Sequence, residues 1–403
     1  MASSASKPRT THDFPTDVPF IRDPHTRSDQ LKRDAMNRGF LRHPVIQRLL
    51  TWQTGLPHTN QSLPLRHPLE NLTTALMAMI VGLLCCQQAL QGQWEWLIRC
   101  LLLVIGWGHI LHALRCFRLP NRHAAAHGHL SGNAQVDYWI GQTLSAILLA
   151  APMGRYINSH VTDPLKAHHK WNKLMSPLES THEEIKALGF QPGASNDVNW
   201  RHLRGLLLSP LYYGQALARG LHDALCTGTL LERAFNVTIW GVILTLAHTT
   251  HQLVLLLVAY GIPRLLYEGC QLLRVLIEHT FAEPGRPRTL ASYRLMTSAI
   301  ILADTVPAIA EDASQLEVFL HWSEWSLKML VHLLARVFIA TGDTVNHYTH
   351  HVRPGASFIN HEVERMKLIN AGHAIHSNWG LVAAIDAFFT SLAKQPADLF
   401  SRN

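Results

Sequence analysis

Histidines gathered in three polar clusters are the residues of this chain best suited to chemistry. The clusters are His123-Ala-Ala-Ala-His127, His160 with His168-His169, and His347-Tyr-Thr-His350-His351. Each cluster stands beside a long apolar segment. Neutral imidazole is the commonest metal ligand at physiological pH, so such clusters indicate metal binding. Together, the histidines and the apolar segments predict a membrane enzyme that holds metal.

The spacing within the clusters allows imidazole rings to converge on one ion. In a helix, residues four apart share a face, so His123 and His127 can project toward one site. His347, His350 and His351 stand at i, i+3 and i+4, which also share a face. Imidazoles crowded together without a metal repel one another whenever they protonate, and three such clusters therefore favour a metal site.

The number of clustered histidines favours two metal ions over one. Zinc hydrolases usually use three protein ligands, often in the motif H-E-x-x-H. The sequence lacks this motif, because His182-Glu183 is followed by Glu-Ile-Lys and His361-Glu362 by Val-Glu-Arg. Eight clustered histidines exceed what one zinc ion needs, and nitrogen ligation favours a redox-capable iron pair over magnesium or calcium.

Four further histidines raise a haem alternative, because they lie inside apolar segments. They form two pairs, His109 with His112 and His248 with His251. A pair at i, i+3 on one helix is poorly placed to ligate haem, which needs well-separated histidines on facing helices. We interpret these histidines as hydrogen-bonded between membrane helices or lining a cavity, since an unpartnered buried polar group is costly.

Other polar residues near the clusters have a structural interpretation as well as a functional one. His129 points to a different helical face from His127, and His373 with His376 is interpreted as a surface or interfacial pair. Carboxylates that orient metal-bound imidazoles are expected near such a site. The candidates, which are equally well explained as solvated acids, are Asp137, Asp343 and Glu278.

The composition indicates an integral membrane protein with a polar cap. The chain has 403 residues, of which 47% are apolar, and a mean hydropathy of +0.04, low for a bundle of membrane helices and high for a soluble protein. The net charge is +7, but no basic run is interleaved with aromatic residues, so no nucleic-acid partner is predicted. The six cysteines lie in or next to apolar stretches without C-x-x-C spacing and are interpreted as reduced thiols.

Uncharged runs locate the predicted membrane crossings. Residues 71–90 carry no charge and residues 94–114 carry only Glu95 and Arg99, so these segments predict a hairpin of two crossings. Residues 235–263 are also uncharged and are long enough for one crossing or for a bent pair with its turn.

Shorter apolar segments complete the predicted membrane part. At least one of the amphipathic segments 265–281, 293–310 and 327–341 is expected to complete a second hairpin. The segment 137–157 is broken by Pro152 and Gly154 and is expected to be re-entrant. Residues 381–392 are a candidate interfacial helix, and 43–52 an amphipathic helix in the N-terminal arm.

Charge near the first crossing predicts the orientation of the chain. Ten Lys and Arg precede residue 68, which places the N-terminal arm in the cytoplasm by the positive-inside rule. All three clusters can then meet on the cytoplasmic side. No long strand alternation occurs, so we predict a mainly α fold with about four crossings, re-entrant or interfacial helices, and a helical cytoplasmic cap carrying the histidines. The predicted division is an arm over 1–67, a membrane domain with its cap over 68–395, and a tail over 396–403.

The order of these clusters resembles the membrane-bound fatty acid desaturase and hydroxylase superfamily. The shared pattern is H-x-x-x-H followed by Gly, as at His127-Gly128, then a box ending His-His, then a distant H-x-x-H-H. Bacterial desaturase-like members are also similar at 188–193 (Leu-Gly-Phe-Gln-Pro-Gly), at Gly342-Asp343 before the third cluster with Arg353-Pro354 behind it, and at Trp379-Gly380-Leu381. The resemblance covers roughly residues 70–395.

The resemblance implies a centre of two non-haem iron ions at the cytoplasmic membrane surface, with dioxygen as co-substrate. Ferredoxin, rubredoxin or cytochrome b5 would supply electrons, and the substrate would be an acyl-lipid, acyl-CoA or acyl-carrier chain. The implied iron ligands are His123, His127, His160, His168, His169, His279, His347, His350 and His351. His279 fills the place of the family's further ligand between the second and third boxes, with His332 as the second choice.

The middle cluster departs from the family's usual H-x-x-H-H spacing. That spacing would place a histidine at position 165, where this chain has Leu165. His160 stands five residues earlier, and Pro164 favours a bent segment over one continuous helix. Either His160 still reaches the metal or another residue replaces it.

These observations predict a fatty acid desaturase of a bacterial inner membrane, which removes hydrogen from an acyl chain to form a double bond. The first alternative is a lipid or alkane hydroxylase or monooxygenase of the same superfamily. The second is a non-catalytic metal-binding membrane protein, which the altered middle cluster would fit.

Overall fold

The computed structural model describes residues 24–159, 179–285, 296–353, 356 and 358–401. The fold is mainly helical, as predicted. Its α-helices are α1 (Pro24–Ala35), α2 (Pro44–Thr54), α3 (Pro68–Gln91), α4 (Trp96–Cys116), α5 (His123–Ala126), α6 (Ala134–Ile147), α7 (Met153–Ile157), α8 (Glu179–Ala187), α9 (Asn196–Leu207), α10 (Pro210–Cys226), α11 (Leu230–Thr249), α12 (Leu253–Leu256), α13 (Ile262–Glu278), α14 (Gln315–Phe338), α15 (His347–Val352), α16 (His361–Asn370) and α17 (Leu381–Ala393).

Short elements complete the description. Single 3-10 turns lie at Gly39–Arg42, Gly342–Asn346, Phe358–Asn360 and Leu399–Ser401, and π-helical segments at Phe117–Arg122 and Leu257–Gly261. Strands β1 (Ala299–Ile301) and β2 (Ser377–Trp379) pair in parallel, with Ile300 opposite Asn378.

Four helical stretches in the described part of the chain are long and apolar enough to cross a membrane, as an integral membrane protein requires. They are Pro68–Gln91, Trp96–Ala126, Leu230–Thr249 and Leu253–Glu278. Helix α14 with Gly342–Thr349 forms a pair bent by 116°, which makes a fifth if it is one broken span. The uncharged run 235–263 is thus shared by two candidate spans, which are separated by a turn at Thr250, His251 and Gln252.

The first two spans form the predicted hairpin, and glycine brings them close together. A Cβ atom on Gly82 would lie 2.5 Å from Ile110 Cγ1, and one on Gly106 would lie 2.6 Å from Cys86 Sγ. Small residues at such contacts allow helix backbones to approach within a membrane. The hairpin returns the chain to the side on which it started, which brings the end of α4 next to the start of α3.

One π-helical segment directly precedes the predicted ligand His123, and the other begins the helical stretch that ends next to His279. The first contains Pro120, which lacks a backbone N–H and so breaks the regular helical hydrogen-bond ladder between α4 and His123. The second leads into α13, which ends next to His279. Such widened turns change the direction of the side chains that follow and occur often at functional sites.

The N-terminal arm packs against the C-terminal part of the chain. Helix α2 forms at the amphipathic segment predicted in the arm, and α1 precedes it. The Gln53 side-chain amide donates to the carbonyls of Leu302 and Met329, at 3.2 and 3.1 Å. The Trp379 indole donates to Asp29 at 2.7 Å. The arm therefore helps to build the cap that carries the histidines.

Two segments differ from the predicted pattern, and a third, 137–157, does not cross a membrane, as predicted. Residues 296–310, in the amphipathic segment considered for a second hairpin, form β1 and extended chain, because β1 pairs with β2. Helix α17, predicted as interfacial, buries its apolar face in the cap, with Phe388 and Phe389 fully enclosed. The segment 137–157 forms α6 and α7, and neither is long enough to span a membrane.

Candidate metal centre

His279 and His347 meet inside the cap. His279 follows the last residue of α13 in an extended conformation and forms an isolated antiparallel bridge with Thr297. His347 begins α15 directly after a 3-10 turn. Their Nε2 atoms lie 3.3 Å apart, and both residues are buried. This distance allows a hydrogen bond between the two rings, and it also suits two nitrogens that each lie about 2.1 Å from one ion.

His123 and His127 form a second pair of rings. Their centroids lie 5.0 Å apart at an interplanar angle of 74°. His123 is the first residue of α5 and His127 caps its end, so the rings share one short turn of helix. His123 Nδ1 faces Asp343 Oδ2 at 3.7 Å, which orients one side of the ring toward a buried carboxylate.

Two contacts connect the elements that carry these pairs. Gly342 lies against Pro120, because a Cβ atom on Gly342 would be 3.0 Å from Pro120 Cδ, and its φ of +64° favours glycine. Glu278, next to His279, lies within electrostatic reach of both Asp343 and His123. The Arg274 guanidinium donates to Glu278 at 2.7 Å. Glu278 is therefore adjacent in sequence to His279 and within electrostatic reach of His123, which Asp343 also faces.

Burial keeps two of these imidazoles neutral at physiological pH. Desolvation, with smaller effects from His123 and His129, lowers the pKa of His127 to about 2. Desolvation and the nearby Arg274 lower the pKa of His279 to about 4. Burial also lowers the pKa of His129, whose ring centroid is 6.1 Å from that of His127. Neutral imidazole is the form that binds metal, so the electrostatics of these sites favour ligation.

Asn346, which sequence reasoning missed, fixes the residue before His347. Its amide nitrogen donates to Gly55 O and to His361 Nδ1, both at 2.8 Å, and its oxygen accepts from Arg365 at 2.8 Å. Asn346 thereby uses both donors and its acceptor while buried. No motif in the sequence marks it, because its partners come from distant parts of the chain.

His361 and Arg365 continue this network. Desolvation lowers the pKa of His361 to about 4, even though the carboxylate of Glu362 opposes the shift. Arg365 also donates to Ser377 Oγ at 2.9 Å. The third cluster is therefore attached to α2 through Gly55, to α16, and to β2.

Five predicted ligands lie wholly or partly outside the described residues. His160, His168 and His169 lie outside the described residues, and so do the side chains of His350 and His351, although their backbone belongs to α15. His332, the second choice for the further ligand, lies on α14 against Gly380. The Asp137 carboxylate accepts from the backbone of Leu130 and Ser131 and so shapes a turn, and its charge also acts on His129.

His109 and His112, two of the four histidines considered for haem, have ordinary hydrogen bonds. His112 Nδ1 lies 3.0 Å from the Val337 carbonyl, so it connects α4 to α14, a bond between helices as expected. His109 Nδ1 lies 2.9 Å from the Ile105 carbonyl of its own helix. His248 and His251 lie at the turn between α11 and α12.

The described part of the site holds two pairs of donors. Within that part, no three His, Cys, Asp or Glu side chains are arranged to hold one metal ion. The four described candidates are nevertheless nitrogen donors arranged in two pairs, with His123, His279 and His347 buried and His127 half-buried. Nitrogen donors of this kind suit iron, zinc or copper, and carboxylates near them can orient the rings.

Comparison of the chain with models of known protein families, with curated proteins and with solved structures found no match.

Proposed function

We propose that this chain is an oxygen-dependent di-iron membrane enzyme that removes hydrogen from a fatty acyl chain to form a double bond. One observation carries the proposal: His279 and His347, from separate elements, are buried with their Nε2 atoms 3.3 Å apart. The type of reaction is inferred from the resemblance of the three clusters to the desaturase family. The apolar helices support association with a lipid bilayer, in which an acyl substrate resides.

The chain's own residues would hold the metals and shape the site. His123, His127, His279 and His347 present nitrogen donors, and the other predicted ligands complete the set. Asp343 orients the His123 ring through its Nδ1 atom. The bound iron pair supplies dioxygen activation and hydrogen removal, with electrons from ferredoxin, rubredoxin or cytochrome b5. The surrounding fold would fix which carbon of the acyl chain reacts and limit the access of water.

Orientation follows from charge. The arm carries ten Lys and Arg before residue 68, and in this proposal it faces the cytoplasm together with the cap. The active site would then open to the cytoplasmic side of a bacterial inner membrane, where soluble electron donors reach it.

A non-catalytic metal-binding protein is the second candidate. It is favoured by the absence of a three-ligand group within the described residues. In that case the buried histidine pairs would carry or store metal, and no dioxygen would be consumed.

Metal content and lipid products test the proposal together. The full chain, purified in detergent, should contain about two irons and consume dioxygen when a reduced ferredoxin is supplied. Zinc alone, or no tightly bound metal, would contradict it. Bound iron without dioxygen consumption would favour the second candidate.

Expression in a bacterium then distinguishes the reactions. Acyl chains that have lost two hydrogens indicate a desaturase, and chains that have gained an oxygen atom indicate a hydroxylase. The control is a double variant, His350→Ala with His351→Ala, whose lipid profile should equal that of cells without the protein.

A further inference from the structure

A cavity of about 290 Å³ lies where three apolar helices end at the cap. It is lined by residues from the first turns of α3 and from the last turns of α4 and α14, among them Thr74, Cys116 and Arg336. The hairpin places the start of α3 and the end of α4 at the same level. The cavity therefore lies at the edge of the membrane, between the apolar helices and the polar cap.

Arg336 is a buried cation without a carboxylate partner. Its side chain is about 1% exposed, and no carboxylate oxygen of the described residues lies within 4.0 Å of it. Its Nε donates to the Trp52 carbonyl at 2.7 Å and its Nη1 to the Ala340 carbonyl. Within the described chain, Nη2 bonds to no protein atom. The Trp52 ring lies 4.9 Å from its Cζ, and the charges of Glu362 and Asp343 act on it from beyond 4.0 Å. A buried guanidinium is costly unless its charge is balanced, so an anion in direct contact with Nη2 would stabilise it further.

Arg66 lines the same cavity and has two nitrogens that make no hydrogen bond to the described residues. All side-chain hydrogen bonds of Arg66 to the described residues come from Nη2, which donates to the Ile359 carbonyl at 2.8 Å and to both oxygens of Glu362. Nε and Nη1 are left for a ligand. The side chain is 34% exposed, which places it at the mouth of the cavity.

A hydroxyl group and the charges of the lining complete the site. Thr341 Oγ1 is buried, lines the cavity and has no hydrogen-bond partner among the described residues. The one acid among the described lining residues is the exposed Glu70, which accepts from the backbone of His67, and Glu362 pairs with Arg66 from outside the lining. Arg336 is the buried charge of the lining that has no carboxylate oxygen of the described residues within 4.0 Å.

The neighbouring surface suits an apolar chain attached to the anion. His112 and Cys116 of the lining continue along one face of α4 to Ile105 and His109, since these positions are spaced three and four residues apart. Ile105 is exposed on the outside of this candidate membrane span. A lipid can therefore place its head in the cavity and its chain along α4.

We infer that this cavity binds the anionic head of a membrane lipid, a carboxylate or a phosphate, between Arg336, Arg66 and Thr341. Guanidinium groups bind both kinds of anion with charge-assisted hydrogen bonds. The inference stands on these contacts and does not depend on metal or on the proposed reaction.

Equilibrium binding of radiolabelled lipids to the full chain in detergent tests the site. Oleate and oleoyl lysophosphatidate are the two anionic probes, and methyl oleate is the uncharged one. We expect saturable binding of at least one anionic probe, on the order of tenfold tighter than methyl oleate. Equal binding of all three probes overturns the inference. Inorganic phosphate that competes as strongly as lysophosphatidate also overturns it, because the site would then take a free anion.

Variants assign the binding to the cavity. Arg66→Gln and Thr341→Val should each weaken binding of the anionic probe by several-fold to tenfold, and Thr341→Val removes no hydrogen bond that the described protein makes. Arg336→Gln should abolish it, although this variant also loses bonds that hold Trp52 and Ala340.

Arg99→Gln is the matched control. Arg99 donates to the Ala89 and Leu90 carbonyls at the other end of the α3–α4 hairpin, so it also bonds backbone carbonyls at a helix end. Binding by this variant should equal that of the wild type. Wild-type affinity in both Arg66→Gln and Thr341→Val would place the lipid elsewhere and refute the assignment.

Discussion

The imidazoles of His279 and His347 face each other across two elements of the cap, with 3.3 Å between their Nε2 atoms. Each is fixed from its own side. His279 is held by the end of α13 and by its bridge to Thr297, and His347 by the hydrogen bonds of Asn346. Because each ring is positioned by its own element, a metal ion bound by both would connect the two elements, and its loss would affect both rings.

Removal of either ring should release iron. We expect His279→Ala and His347→Ala each to lower the iron content of the purified chain by about half or more, because a lost ligand weakens the binding of the ion that it holds. Elemental analysis per mole of protein measures this. His109→Ala is the control, since His109 bonds its own helix, and its iron content should stay at the wild-type value. Unchanged iron in both cap variants would remove His279 and His347 from the ligand set.

Acid should destabilise the cap through His361. Its folded pKa of about 4 lies below the usual value of 6.5, so between these values the unfolded chain binds the proton and the folded chain does not. The free energy of unfolding therefore falls as the pH falls from about 6.5 to 4, by up to roughly 1.4 kcal/mol per pH unit for this group.

Thermal unfolding in detergent at several pH values would measure the effect. His361→Gln keeps an oxygen that can accept from Asn346 but does not titrate, so its stability should depend less steeply on pH in this window. An identical slope in the variant and the wild type would show that His361 does not contribute.

Asn346 should be critical for stability although it is not a predicted ligand. Asn346→Ala leaves the guanidinium of Arg365 and the carbonyl of Gly55 buried without their partner, which should cost roughly 2–4 kcal/mol of unfolding free energy. Asn196→Ala is the control, because the bond of the half-buried Asn196 to Thr390 is exposed to solvent, and its loss should cost less than about 1 kcal/mol. Equal stability of the two variants would mean that the network around Asn346 is not formed.

A methyl group at Gly82 should separate the first two spans. Its Cβ atom would lie 2.5 Å from Ile110 Cγ1 and 2.8 Å from the Gly106 carbonyl, so Gly82→Ala should cost about 1–3 kcal/mol. Gly241→Ala, also in an apolar helix, meets no atom within 4 Å and should leave stability unchanged or slightly raised. Unfolding in the same detergent compares them, and a harmless Gly82→Ala would contradict the close packing of α3 and α4.

The sequence predicted the membrane part well because the signal is local. An uncharged run of about 20 residues has few alternatives to a membrane helix, so the α3–α4 hairpin followed from residues 71–114 alone. His279 was selected from the order of the boxes, and the structure places it beside His347. Its role as a ligand stays a prediction, as does that of the middle cluster.

The cap was harder to predict because its contacts are distant in sequence. Strand β1 depends on pairing with β2, which follows some 75 residues later, and no local pattern in residues 296–310 indicates that pairing. Helix α17 has the composition of an interfacial helix, and only the position of its neighbours decides that Phe388 faces the protein core. Asn346 owes its importance to three partners that sequence spacing does not connect.

The arm is also joined to Glu362 and Trp379, and this constrains biosynthesis. Asp29 bonds Trp379, and Arg66 bonds Glu362, so the arm cannot complete its contacts until these two residues have been synthesised. A chain emerging from the ribosome can insert its apolar hairpins early, but the cap closes only after translation has passed Trp379. A truncation that removes β2 would leave the membrane helices in place, but the arm would lose its contact with Trp379. Cellular proteases remove incompletely folded products of this kind.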